Sequence, residues 1–148
     1  GTMPSKKNIE PTLKNTETSL KNTEPSRMKK TRGQLEAEIS EALVRFEKEF
    51  MGRGPTEAKT YILDDLVLVR MKGILTQAEY HLTRSEDPAR GRDLVKQMRL
   101  ELLERGRAML EAIIGQLLGR KVVSLHTDLS TVTGERMIVF TLDGPVNI

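Results

Sequence analysis

The sequence predicts an α+β fold of two layers: a four-stranded antiparallel sheet with helices packed on one face, in the order α-ββ-αα-ββ. Three observations carry this. Apolar residues recur every three or four positions over 32–51 and over 88–118, the period of helices buried along one side. A pair of β-rich runs follows each of these stretches. Gly and Asp-Asp punctuation falls between the runs and not within them. Hairpins alternating with amphipathic helices bury their apolar faces most simply as one sheet layer under one helix layer.

Thr31-Arg32-Gly33-Gln34 has the form of a capping box, and Leu35, Ile39, Leu43, Phe46 and Phe50 follow as one stripe. This predicts a helix over 32–51, with Glu36, Arg45, Glu47 and Lys48 on the opposite face. Gly52-Arg53-Gly54-Pro55 breaks it. Strands over 58–63 and 66–72 are then split by Asp64-Asp65. A two-residue turn pairs Leu63 with Leu66 and Ile62 with Val67. In that register Ala58, Thr60, Ile62, Val67, Val69 and Met71 share one face. Lys59, Tyr61, Leu63, Leu66, Leu68 and Arg70 share the other.

A second capping box at Thr76-Gln77-Ala78-Glu79 opens a short helix ending near Arg84. Asp87-Pro88 offers an N-cap followed by proline at the first helical position. From there Val95, Met98, Leu102, Met109, Ile113 and Leu117 form a stripe that Leu94, Leu103, Leu110 and Ile114 widen. One helix over 88–118 would be about 45 Å long, and Gly106 within it offers a place to bend. Strands over 122–129 and 136–142 follow, joined by Ser130-Thr131-Val132-Thr133-Gly134-Glu135, with Gly134 at the positive-φ position. Val123 and Leu125 are expected on one face, and Ser124, His126 and Asp128 on the other. The run Met51-Gly52-Arg53, two strands, Gly73 resembles Leu118-Gly119-Arg120, two strands, Gly144. Duplication and chance both account for it.

The 148 residues carry 24 Lys+Arg and 21 Asp+Glu, a net charge of +3. Residues 1–30 hold seven basic and three acidic groups, which leaves 17 basic and 18 acidic for the remainder. The basic excess therefore belongs to the first 30 residues, which read as a disordered basic tail with Gly1-Thr2 an expression scar. Residues 31–144 read as a single α+β domain, and 145–148 as a C-terminal tail. A near-neutral domain with five aromatic residues argues against nucleic-acid binding. Without cysteine there are no disulfides, thiolate metal sites or cysteine nucleophiles. The two histidines, His81 and His126, supply at most half of a zinc shell, and no cofactor motif is present. No apolar run reaches the 18–20 residues of a membrane span, and no signal peptide is evident, so a cytoplasmic protein is expected.

Three sites are candidates for function. Tyr61, Leu63, Leu66 and Leu68 become an exposed apolar patch, an interaction surface, if helices cover only one side of the sheet. Burial under the short helix 76–84 is the alternative, and the long helix could also pair with its copy. Arg53, His126, Thr133 and Arg136, in the Gly-Arg-Gly-Pro and Thr-Gly-Glu-Arg loops and the adjoining strand, could contact a small anion or nucleotide. Ser124, His126 and Asp128 share a strand face and hint at a hydrolase, but no nucleophile-elbow sequence is present.

Gly-Arg-Gly-Pro-Thr-Glu-Ala-Lys (52–59) and Leu-His-Thr-Asp-Leu-Ser-Thr-Val-Thr-Gly-Glu-Arg-Met-Ile-Val-Phe-Thr-Leu (125–142) resemble the MpsC-like family. That bacterial family, common in cyanobacteria and bacilli, is named for a sodium-translocating membrane-potential-generating system. The resemblance covers about 30–144. It implies a small protein sometimes encoded near cation or inorganic-carbon transport components, with no catalytic residues to carry over. The expectation is a non-enzymatic regulatory or adaptor protein acting through a protein partner, as a homodimer or in peripheral association with a membrane complex.

Overall fold

The computed structural model describes residues 29–148, and residues 32–147 form one compact unit. The reading of 1–30 as a tail falls, save for Lys29 and Lys30, outside the described residues. Among the described residues the elements are α1 (Arg32–Met51), β1 (Glu57–Leu63), β2 (Leu66–Lys72), α2 (Gln77–Thr83), α3 (Pro88–Leu118), β3 (Val122–Ser130) and β4 (Glu135–Leu142). The α-ββ-αα-ββ order and the α+β class hold. The sheet runs β1-β2-β4-β3, antiparallel throughout, so the two hairpins meet through β2 and β4.

The first hairpin has the expected register, Leu63 opposite Leu66 and Ile62 opposite Val67. Asp64 takes the left-handed conformation at φ 61°, which a short acidic side chain tolerates in a two-residue turn. The C-terminal segment pins this turn: the amides of Leu142 and Val146 donate to the carbonyls of Asp65 and Asp64. Arg120 Nε donates to the carbonyl of Pro145, and Val146 packs against the core. Pro145 and Val146, expected in a tail, are thus tied to the domain.

Thr76 caps α2 with both bonds of the capping box, and Asp87 caps α3 through the amide of Arg90. One unbroken helix spans the 31 residues of α3. Its buried line is Val95, Arg99, Leu103, Gly106, Leu110, Ile114 and Leu118, whereas Met98 and Met109 are exposed. The expected stripe is therefore out of phase by about one residue. Gly106 is a close-approach position: a Cβ there would lie 2.4 Å from Cε1 of Phe46. Gly91 serves the same purpose under α2, where a Cβ would lie 1.8 Å from the carbonyl oxygen of Leu82.

The core lies between the helices and one face of the sheet. Ile39, Leu43 and Phe46 of α1 and Leu103, Leu110 and Ile114 of α3 meet Ile62, Val67, Val69, Met71, Ile138 and Phe140. Both hairpin faces fall as expected. In β3 a bulge between Val122 and Ser124 changes the pattern: Val122 packs against the core and Val123 is turned out, 66% exposed. The extra residue shifts the alternation by one, so Val123 does not share the face of Leu125.

Candidate functional site

The sheet face away from the helices is built in rows by the strand register. One row reads Leu63, Leu66, Thr141, Ser124; the next Tyr61, Leu68, Val139, His126; the third Lys59, Arg70, Met137, Asp128. Tyr61 and Leu66 are each 37% exposed and Leu63 56%, while Leu68 and Val139 are half-buried among them. Among the described residues the expected patch is therefore uncovered, and α2 packs against α3 instead of over it. Lys59 Nζ lies 6.0 Å from the centre of the Tyr61 ring, and Arg70 is ion-paired with Glu135 along the lower rim. An apolar centre rimmed by both signs of charge has the composition of a contact surface.

The sheet edges are guarded. On outer strand β1 the amide of Ile62 donates to Glu36 Oε2 at 2.9 Å. On outer strand β3 the amide of Leu129 donates to Asp128 Oδ1 at 2.8 Å, and the Val123 bulge distorts the same strand. Carboxylates and bulges at such positions discourage a further strand from pairing.

The expected Ser–His–Asp constellation does not form. Ser124 Oγ lies 3.1 Å from His126 Nε2 and also contacts Thr141, but Asp128 turns to Lys96 Nζ at 3.2 Å. The proposed anion contacts are not brought together either. His126 is exposed on the open face, Arg136 is buried on the covered face, and Arg53 and Thr133 are exposed in separate loops. Strand alternation sets His126 and Arg136 on opposite sides of the sheet, so one ligand cannot bridge them. The β3–β4 loop spends its polar groups on itself: Ser130 Oγ accepts from the amides of Val132 and Thr133. Gly134 does take positive φ, at 74°. Among the described residues no group of three metal-binding side chains forms.

Sequence reasoning missed a buried ionic cluster. Arg99 of α3 reaches Glu79 of α2 through a fork, with Nε and Nη2 each 2.7 Å from a carboxylate oxygen. Its Nη1 donates to Glu47 Oε1 at 3.2 Å, and Nη2 also donates to the carbonyl of Ile74 at 2.6 Å. Arg136 of β4 donates to the other oxygen of Glu47 at 3.5 Å. Burial works against ionised Glu79, but the Arg99 fork and the Thr76 amide outweigh it and hold its pKa below the ordinary carboxylate range. Glu47 goes the other way: its burial outweighs two longer contacts with Arg136 and Arg99, and its pKa is raised. Burial likewise lowers the pKa of Arg136. The signal was a charge in core phase: Glu47 follows Leu43 by four, Arg99 follows Val95 by four, and Arg136 shares its strand face with Ile138 and Phe140 at a spacing of two. Assigning Glu47 to the outer face of α1 was incorrect; it is 0% exposed.

A family model described as "Na+-translocating membrane potential-generating system (MpsC)" matches residues 31–144. The chain is 48% identical over 115 residues to the uncharacterized protein YbcI of Bacillus subtilis (strain 168), covering 78% of this chain and 90% of that one. No solved structure matches significantly. No helix among the described residues is long and apolar enough to cross a membrane.

Proposed function

The chain belongs to the MpsC family, and on that premise we propose that it is a non-catalytic accessory protein of a Na+-translocating, membrane-potential-generating system. It works from the cytoplasm through protein contacts. The open face of the sheet is the contact surface, and a second copy of the chain closes it. The observation that carries this is the patch of Tyr61, Leu63, Leu66 and Leu68, uncovered among the described residues, in a sheet whose edges are guarded. A face is thereby left for association where an edge is not.

The register favours a second copy. A two-fold axis parallel to the strands, between β2 and β4, sets each row over the same row of the copy in reverse order. Leu68 then meets Val139 of the copy, Tyr61 meets His126, and Lys59 meets Asp128. By extension of the register Lys72 meets Glu135. The central pair Leu68–Val139 is apolar and two flanking pairs are of opposite charge, while Leu63 and Leu66 meet the short hydroxyl side chains Ser124 and Thr141 of the copy. Sheets packed face to face in this way lie about 10 Å apart with interdigitated side chains.

The test is complementation. A strain lacking this gene should lose Na+-dependent membrane potential, and the wild-type gene should restore it. Leu68→Glu, which places a charge at the centre of the face, should fail to restore it although the protein accumulates to wild-type level. Full rescue by Leu68→Glu overturns the role of the face. A deletion strain with unchanged potential overturns the accessory role.

A further inference from the structure

On the covered side of the sheet, between α3 and strands β3 and β4, lies a cavity of about 360 Å³. Its lining includes Lys96, Gln97, Leu100, Thr127, Leu129 and Arg136. That volume is at the lower end of small-molecule sites. Arg136 is 2% exposed. Its Nε donates to Thr127 Oγ1 at 3.3 Å and its Nη1 to Glu47 at 3.5 Å. Among the described residues its Nη2 has no acceptor. A guanidinium buried this deeply ordinarily fills its fork, because an unpaired buried donor is costly. Arg99 also borders the cavity, but its three nitrogens are held by Glu79, Glu47 and the Ile74 carbonyl. Lys96 stands at the mouth, with its ammonium 3.2 Å from Asp128, a carboxylate whose side chain is 81% exposed. Such an exposed pair exchanges partners at little cost.

We propose that this cavity binds a small monoanionic carboxylate. Its oxygens are taken by Nη2 of Arg136 and by Lys96, and its apolar part lies against Leu100 and Leu129. The surrounding charge selects for a single negative charge. Three cations, Arg99, Arg136 and Lys96, face the cavity, but Asp93 and Asp128 line it too, and Glu47 stands behind Arg136. With these charges nearly cancelling, the attraction gained by a dianion such as phosphate is small, while its desolvation cost grows as about the square of its charge and exceeds that of a monoanion. The site lies on the opposite side of the sheet from the proposed dimer face and shares with it only Asp128, at the β3 edge; carboxylate binding and oligomeric state are read separately, so either reading can fail without the other. Of the four anion contacts expected from the sequence, it keeps Arg136 alone.

The experiment is a ¹H–¹⁵N titration of the full chain with sodium acetate and sodium propionate. Sodium chloride at equal ionic strength and inorganic phosphate are the controls. Saturable shifts at Lys96, Gln97, Thr127 and Arg136 are expected with both carboxylates, with weaker binding of phosphate. Arg136→Lys keeps the charge but loses the fork, and should weaken acetate binding about tenfold. Leu100→Trp, at an exposed position that leaves the core untouched, should fill the cavity and abolish binding. The proposal is overturned if the wild type shows no saturable shifts at these residues at tens of millimolar carboxylate. It is equally overturned if Leu100→Trp binds like the wild type or if phosphate binds more tightly than acetate.

Discussion

The two faces of this sheet come from the same alternating strands, and each carries what the other would be expected to hold. Under the helices the covered face buries Arg136 of β4, which with Arg99 of α3 meets Glu47 of α1 and Glu79 of α2. The open face leaves Tyr61, Leu63 and Leu66 in solvent. Inside, the carboxylates are tied to guanidinium groups, and Glu79 to a capping amide as well. Outside, the apolar side chains have one another and, among the described residues, no covering layer. Buried ion pairs seldom add net stability, but breaking one is costly. The covered face is therefore intolerant of change, and the open face should tolerate substitution until it meets a partner.

The largest break in this contrast is Arg99→Leu. It leaves Glu79 with the Thr76 amide alone and Glu47 with only the long contact to Arg136, and should cost about 3–5 kcal/mol in urea unfolding. A loss below about 1 kcal/mol would mean that the core accommodates the two carboxyl groups without Arg99, by protonation or through their remaining partners. Next comes Gly106→Ala. Its Cβ would fall 2.4 Å from Phe46, an overpacking cost of about 1–3 kcal/mol against a helix-propensity gain of about 1. A lower Tm is expected. A raised Tm would mean that Phe46 yields freely and that the glycine serves the helix as a flexible point.

The two buried glutamates also give stability a pH signature. The folded-state pKa of Glu79 lies below its ordinary value of 4.5, so its contribution is complete above 4.5 and is lost as pH falls toward the folded value. The folded-state pKa of Glu47 lies above 4.5, so stability falls as pH rises from 4.5 through that raised value. Together they place a local maximum near pH 4.5 in their joint contribution. Urea midpoints across pH should show the acid-side slope disappear in Glu79→Gln and the slope above 4.5 disappear in Glu47→Gln. Slopes unchanged in either variant would remove that residue from the account.

Most of the architecture could be read from the sequence, because the local signals agreed with one another. The Asp64-Asp65 turn and the strand pattern set the first hairpin's register, and the two caps set the starts of α2 and α3. The phase of α3 could not be read in the same way. Two of its core positions are Arg99 and Gly106, so counting apolar residues favours the neighbouring row through Met98 and Met109. The bulge at Val123 has no glycine or proline to announce it. The open patch was visible in the alternation of Tyr61 with Ile62 and of Leu68 with Val69. The ionic cluster was not, because its members lie on four separate elements and meet only through tertiary packing.

The smallest expected effect on folding carries the most weight for function. Leu66→Glu, at an exposed position, should change the stability of the isolated chain by no more than about 0.5 kcal/mol, and Leu68→Glu, half-buried between Tyr61 and Val139, by about 1 kcal/mol. The same variants should change its mass in solution. Size-exclusion chromatography with light scattering should give twice the 16.7 kDa chain mass for the wild type and the single mass for either variant. A wild-type chain that stays at the single mass at high concentration would contradict the account.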